Sequence, residues 1–316
     1  MNNSRNLSVS IAIPTFNQGE FLEKTILCAL NQTVKPYEVV VSNNHSTDEL
    51  THKILKKYEN RIKVVTPPKF LSMVENFKFL ANNVSGDWVG FISSDDFYSK
   101  DFIDSFYTGL DNVSDNFNDI VVVRFGFNSV DINGLVTKAN FIRTSRKIES
   151  FPFNFYEQLT GSKGSICASL FRSDILKKIN DFDLNLNLSF DWGLFLNFSK
   201  YGSFLYIPKI CSNIRLDYRK GLFLKRLGDD ILDFIYIYDE LQRKIIFDHR
   251  LMFFWHKLAI KLRYFEVESI YKSQGLVYDE FLVKLSVLLQ GNKIRNKFEY
   301  LILKLIMRTF QVLYKG

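Results

Sequence analysis

The sequence predicts an α/β domain, a mixed but mostly parallel sheet flanked by helices, followed by an all-α C-terminal extension. Three observations carry that expectation. Short apolar runs alternate with helix-spaced segments from residue 7 to residue 92. Polar clusters close three of those runs, at 14–17, 43–48 and 93–96. From about residue 217 onward, helical spacing persists without any strand pattern. A boundary near 215 is expected, giving two regions, 1–215 and 216–316.

The elements follow in order. Residues 7–14 form an apolar strand ending at Pro14, and Thr15-Phe16-Asn17-Gln18-Gly19 is a turn. Residues 20–32 carry helical spacing through Phe21, Ile26, Leu27 and Leu30. A second strand at 37–42 ends in Asn43-Asn44-His45-Ser46-Thr47-Asp48, with a helix over about 48–59. Ile62–Val65 is a third short strand, 70–83 a helix and 88–92 a fourth strand. Such alternation means βαβ units and a parallel sheet. In parallel sheets ligands sit beyond the carboxyl ends of the strands, so the three polar clusters converge on one crevice. Residues 120–130 and 135–143 read as strands around the turn 131–134. Gly161–Ser165 is a loop, 166–171 a strand and 173–179 a helix. Asp191–Tyr201 is a helix, and a last strand at 203–207 stops before Pro208. In the extension, Leu251 to Phe265 and Phe298 to Leu313 each place apolar residues on one helical face.

Bulk properties exclude several classes. At 47% hydrophobic and 24% charged residues, the chain of 316 is neither disordered nor fibrous. Its three cysteines, Cys28, Cys167 and Cys211, are widely spaced, without the pattern of a zinc site or a disulfide framework. Reduced thiols in a cytoplasmic protein are expected. The first residues, Met1 to Asn6, lack the apolar segment of a signal peptide, and no apolar run is long enough to span a membrane. Of the net charge of +7, most sits at the end. Residues 291–316 hold Lys293, Arg295, Lys297, Lys304, Arg308 and Lys315 against Glu299 alone. This basic complement beside the apolar face of 298–313 suits an anionic membrane surface. The alternative is packing of that face on the first region. Nucleic acid is not expected, because no recognition module accompanies the charge.

The chemistry centres on Val-Gly-Phe-Ile-Ser-Ser-Asp-Asp at 89–96. Two adjacent acids, Asp95 and Asp96, end a buried run. Burial without a partner costs roughly 2–7 kcal/mol even for a neutral polar group. Such a pair is therefore expected in a cleft or against a cation such as Mg2+ or Mn2+. The plain alternative is a helix N-cap before Phe97.

The order Val-Ser-Ile-Ala-Ile-Pro-Thr-Phe-Asn, Val-Val-Val-Ser-Asn-Asn-His-Ser-Thr-Asp, then Gly-Asp-Trp-Val-Gly-Phe-Ile-Ser-Ser-Asp-Asp resembles glycosyltransferase family 2. Phe171-Arg172-Ser173-Asp174, Phe182-Asp183 and Asp191-Trp192-Gly193-Leu194 resemble its acceptor-side half. The likeness covers about residues 7–210. It implies the Rossmann-like GT-A fold, inversion at the transferred sugar, a nucleotide-sugar donor and a divalent metal. Among such enzymes it is most similar to those building bacterial surface polysaccharides such as O-antigen or capsule. A lipid-linked oligosaccharide acceptor and a peripheral place on the inner face of the cell membrane follow. By position, Pro14, Thr15 and Asn17 would line the nucleotide pocket. Asn76 would lie in the helix closing over it, and Ser94 and Asp95 would face the donor. Asp95 and Asp96 would hold Mg2+ or Mn2+, and Asp191 would be the general base.

Two residues depart from the family pattern. Ser93 stands where the metal motif has its first acid, leaving the metal mostly to phosphate oxygens and water. Asn43 stands where an Asp contacts the base. Its amide offers both a donor and an acceptor, compatible with uracil or thymine first and cytosine second. The donor is therefore expected to be a UDP- or dTDP-sugar, then a CDP-sugar. For Asp191 a helix-start role beside Ser189 stays open, since acids favour that end of the dipole. Trp192 fits the core or a sugar platform, and His45 a turn. Two rival functions remain. Ser93 and Asn43 fit a catalytically silent sugar- or nucleotide-binding relative. A nucleotidyltransferase would be expected to carry Arg or Lys in a Gly-rich first loop, and residues 15–19 contain neither.

Overall fold

The structure, a computed structural model, describes residues 4–113, 117–141, 147–151, 153–159, 164–179, 186, 189–215 and 233. The helices expected at 251–265 and 298–313 and the basic segment 291–316 lie outside the described residues. The chain divides into two compact units, Met1–Leu184 with Phe190–Arg219, and Asn185–Ser189 with Lys220–Gly316. In the second, the Ser189 amide donates to Asp233 Oδ2 at 2.7 Å.

The first unit carries one ten-stranded sheet. Its strands are β1 (Val9–Thr15), β2 (Glu38–Asn43), β3 (Lys63–Val65), β4 (Trp88–Phe91) and β5 (Phe97–Tyr98). After them come β6 (Ile120–Val130), β7 (Val136–Asn140), β8 (Ile148–Glu149), β9 (Ser169–Arg172) and β10 (Ser203–Arg215). The order is β3-β2-β1-β4-β9-β6-β10-β5, with β7 added on β6 and β8 on β10. The β3-β2-β1-β4 half is parallel throughout. Strand β9 enters antiparallel between β4 and β6, and β10 runs parallel to β6. This is the mixed, mostly parallel α/β sheet expected.

The helices of this unit are α1 (Gly19–Leu30), α2 (Glu49–Tyr58), α3 (Met73–Asn83), α4 (Phe102–Asp111), α5 (Phe153–Leu159), α6 (Ser173–Lys178) and α7 (Phe190–Phe198). Helix α2 starts where the Asp48 carboxylate accepts from the Thr51 amide at 2.7 Å. Helix α3 starts at Met73, three residues later than its apolar spacing suggests. Ser72 and Glu75 form a reciprocal capping box there, worth about 1 kcal/mol. At Gly19 an added Cβ would lie 2.7 Å from Asp48 Oδ1 and from the Thr51 amide nitrogen, so α1 begins on a glycine pressed against the start of α2.

Both faces of the sheet are covered. In β1, Ile11, Ala12 and Ile13 are all buried, and so are Val39, Val40 and Val41 in β2. Strands buried on both faces read as continuous apolar runs, which is why the sequence shows them so plainly. One core joins Val9, Ile11, Ile13, Leu22, Ile26, Val39, Val41, Phe102 and Phe106. An aromatic chain carries α7: Phe195 and Phe198 lie 5.5 and 5.1 Å from Phe171 of β9, which lies 6.3 Å from Phe91 of β4.

Other elements also differ from expectation, and the helix-cap alternative for the acid pair falls away. Strand β10 does not stop at Ile207; it runs through Pro208 to Arg215. Its register against β6 shifts between Ile207 and Ile210, and that bulge absorbs the residue that cannot donate to the ladder. The segment at 166–168 is a 3-10 turn, with strand β9 starting only at Ser169. Asp95 and Asp96 do not cap a helix, because β5 follows them at Phe97.

Candidate active site

Strands β1, β2 and β4 end side by side, with Pro14 level with Ser42 and Thr15 level with Asn43. The loops leaving these ends carry the polar clusters 14–17, 43–48 and 93–96. Thr15 is buried at the end of β1, and its hydroxyl has no hydrogen-bond partner among the described residues. An unsatisfied buried hydroxyl costs about 1–3 kcal/mol, so its place at a strand end calls for an explanation beyond packing.

Asn17 has a left-handed φ of 52° and ties two loops together. Its Oδ1 accepts from the Thr47 and Asp48 amides at 2.7 and 3.2 Å, and its own amide donates to Ser46 Oγ at 3.1 Å. Its side chain thus joins the loop after β1 to the loop after β2. Asn43 Oδ1 accepts from the Ser46 amide at 3.0 Å in an Asx turn. That bond uses one lone pair and leaves the amide nitrogen. Asn76 of α3 is buried, and its Oδ1 accepts from the Ser42 hydroxyl at 2.6 Å. It therefore pins the closing helix to the end of β2.

Asn44 does more than turn the chain. Its amide nitrogen donates to the Leu71 carbonyl at 2.8 Å, and its Oδ1 accepts from the Leu71 amide at 2.9 Å. His45, at a φ of 60°, places Nε2 2.9 Å from the Pro67 carbonyl. Together they hold the segment before α3 against the loop after β2. That segment brings Phe70 to Phe16, with ring centroids 4.9 Å apart and edge-on. The two rings remain 56% and 42% exposed.

The acid pair divides. Asp95 is half-buried, whereas Asp96 is buried and its Oδ1 accepts from the Arg215 amide at 2.8 Å. Burial first, and the neighbouring Asp95 charge second, push the Asp96 carboxyl well above the usual carboxylate range, against the pull of Arg215 and the Cys167 thiol. The Thr25 hydroxyl of α1 lies 2.6 Å from the Asp96 carbonyl oxygen and 3.0 Å from that of buried Ser94, which fixes the loop backbone. Ser93 Oγ lies 3.4 Å from Cys167 Sγ. Among the described residues no three His, Cys, Asp or Glu side chains gather in metal-binding fashion. A divalent ion held by one carboxylate together with substrate phosphates and water still fits this loop, with Asp95 as the protein ligand.

A raised carboxyl pKa in the folded state stabilises below the unfolded value, near 3.9, and is lost as pH climbs through the folded one. Asp96→Asn keeps an acceptor for the Arg215 amide and removes this titration. Its melting temperature is expected to gain on the parent's progressively as metal-free buffer is taken upward from about pH 4. Parallel curves across a thermal-unfolding series would show that Asp96 is not the buried acid described.

Asp191 lies in the first turn of α7, and its Oδ1 accepts from the Trp192 amide at 2.7 Å. The Phe190 ring lies tilted against Phe77, centroids 4.8 Å apart, and Phe77 against Phe91 at 5.5 Å. The start of α7 is thereby joined to the residue after Asn76 and to the end of β4. Trp192 is core: it is buried, and its indole nitrogen donates to the Gln158 carbonyl. The sequence reading missed Thr25 and Arg215, whose roles depend on partners far along the chain.

The pattern described as Glycosyl transferase family 2 matches residues 10–179, more than half of the chain. Chondroitin synthase of Escherichia coli is 25% identical over 69% of this chain and 30% of its own length. Poly(ribitol-phosphate) beta-N-acetylglucosaminyltransferase TarP of Staphylococcus aureus is 31% identical over 37% of this chain and 36% of its own. The chain thus spans about a third of the length of these relatives. Among solved structures, S. aureus TarS residues 1–349 superimpose with a TM-score of 0.57 at 17% identity, over 82% of this chain and 72% of that one. A mannosyltransferase from Pyrobaculum calidifontis, in complex with GDP-Man and Mn2+, gives 0.55 at 12% identity, over 96% and 88%. The matched span runs from β1 to α6 and includes the loops after β1, β2 and β4, and the chain belongs to glycosyltransferase family 2.

Proposed function

We propose that the protein transfers one sugar, with inversion, from a pyrimidine nucleoside-diphosphate sugar to a lipid-linked glycan in bacterial surface polysaccharide synthesis. The observation that carries the donor side is that Thr15 and Asn43 end neighbouring parallel strands, while Asp95 lies in the loop that follows the third, β4. The exposed Phe16 and Phe70 rings offer a face for the base. Asn43 keeps its amide nitrogen and one lone pair for the base edge, which suits UDP or dTDP first and CDP second. TarS has been solved with UDP and with UDP-GlcNAc, which supports the same class of donor here.

The acceptor hydroxyl attacks the anomeric carbon from the face opposite the leaving group. Asp191 takes its proton, and the nucleoside diphosphate departs with the bonding pair. One displacement inverts the centre. Mg2+ or Mn2+, when bound, supplies positive charge to the departing diphosphate, and Asp95 is the residue proposed to hold it.

A thermal-shift panel of UDP, dTDP, CDP, GDP and ADP, with and without Mn2+, tests this. A matching nucleotide at a hundredfold excess over its Kd raises the melting temperature by roughly 5–10 °C, more with Mn2+ present. Shifts confined to the purine nucleotides would sink the donor assignment. For the acceptor side, the basic segment 291–316 is proposed to rest on the inner face of the cell membrane. No helix among the described residues is long and apolar enough to cross a membrane. Full-length protein that ignores anionic liposomes at low salt removes that part.

A further inference from the structure

We propose that Arg215 is a positioning residue that couples the acid-bearing loop to the turn between β6 and β7, and so holds Asp95 in place. Arg215 ends β10 and is only 8% exposed. Its backbone amide donates to Asp96 Oδ1, its Nη1 donates to the Asp95 carbonyl, and its Nε donates to the Ile132 carbonyl at 3.2 Å. The guanidinium carbon lies 4.5 Å from the Phe21 ring centroid and 5.4 Å from that of Phe97. No carboxylate forms a salt bridge with its side chain among the described residues.

A buried guanidinium usually meets an acid. This one spends its donors on two backbone carbonyls in segments more than thirty residues apart in sequence, Asp95 and Ile132. Its planar fork can serve both at once while lying against an aromatic face. A lysine in its place keeps the charge but offers a single point of attachment. The Thr25 hydroxyl holds the loop independently, so loss of Arg215 releases the coupling without releasing the whole loop. The β6–β7 turn is closed by its own bonds, Gly134 amide to Asp131 carbonyl at 3.0 Å and Leu135 amide to Asp131 Oδ1 at 2.8 Å. Arg215 joins this closed turn to the acids by hydrogen bonds, beside the Phe97 ring that lies against Gly134.

The Asp95 consequence rests on the transfer reading above; the coupling does not. Arg215→Lys in the full chain is read two ways. Hydrogen exchange is expected to speed up at least about tenfold at residues 94–97 and 131–135 together, with β1 amides unchanged. The Mn2+ concentration giving half-maximal donor turnover is expected to rise about 10–100-fold, while donor KM at saturating Mn2+ stays within about threefold. General loosening would instead lower kcat through the folded fraction and leave the metal requirement alone. Exchange that changes at neither segment, or at one only, overturns the coupling, and an unchanged Mn2+ requirement overturns the hold on Asp95. Should Arg215→Lys fail to fold, Phe21→Leu removes the ring beside the guanidinium and keeps its donors. Joint loosening of both segments supports the coupling, and separate or absent loosening overturns it. A parent protein that turns over no nucleotide-sugar sinks the transfer reading, and the exchange result still decides the coupling.

Discussion

Replacing Asp191 by Asn is expected to lower kcat about 10²–10⁴-fold while donor KM moves less than about threefold. The substitution removes a proton acceptor and keeps the side chain's shape. Asparagine keeps an oxygen to accept from the Trp192 amide, the bond the carboxylate makes at 2.7 Å. Helix α7 is held by other means. Phe190 packs on Phe77, Phe195 and Phe198 pack on Phe171, and the Trp192 indole donates to Gln158. The variant should therefore fold with its donor crevice intact. The competing role, an acid at a helix start, is worth only about 0.3–1 kcal/mol. It would appear as a small drop in melting temperature with kcat preserved. Steady-state kinetics beside thermal unfolding separate the two, and a preserved kcat removes Asp191 from the chemistry.

Glu149→Gln is expected to destabilise the fold by about 3–5 kcal/mol. Arg124 and Glu149 form an ion pair of 2.6 Å whose side chains are 0% and 3% exposed. Arg124 sits mid-β6, level with Ser169 of β9 and Tyr206 of β10. Glu149 sits on the short β8, level with Phe204, whose ring centroid lies 5.2 Å from the guanidinium carbon. Removing the Glu149 charge takes the 2.6 Å ion pair away from a guanidinium that stays buried, and the desolvation cost it offset then counts against the fold. Urea unfolding should show a lower midpoint with an unchanged slope. The double variant Arg124→Met with Glu149→Leu, which leaves no charge to strand, should recover most of the loss. A Glu149→Gln loss below about 1 kcal/mol would mean that the remaining guanidinium finds other partners or water.

What the sequence revealed and what it hid have physical reasons. Strands β1, β2 and β4 showed as apolar runs because they are buried on both faces. Thr15, Asn43 and Asp95 showed because polar residues at the ends of such runs have few structural explanations. Strands β5 and β8 are two residues each and leave no pattern to read. Pro208 argued for the end of a strand, but pairing along β6 outweighed that local rule once a bulge took up the proline. The acids looked equivalent as neighbours, yet one carboxyl is buried by an amide 119 residues away. No local spacing foretells Arg215, because its partners lie on three separate segments.

The antiparallel entry of β9 between β4 and β6 also sets an order of events on the ribosome. Strands β1 to β4 can pair as they emerge, but the open side of β4 has no neighbour until Ser169 has been made. At about 5–20 residues per second, the roughly 80 residues between them take about 4–16 s. For that interval Trp88-Val89-Gly90-Phe91 presents a fully apolar edge to the cell. The β1–β4 half of the sheet is thus born sticky, and chains released before β9 is complete are expected among insoluble aggregates.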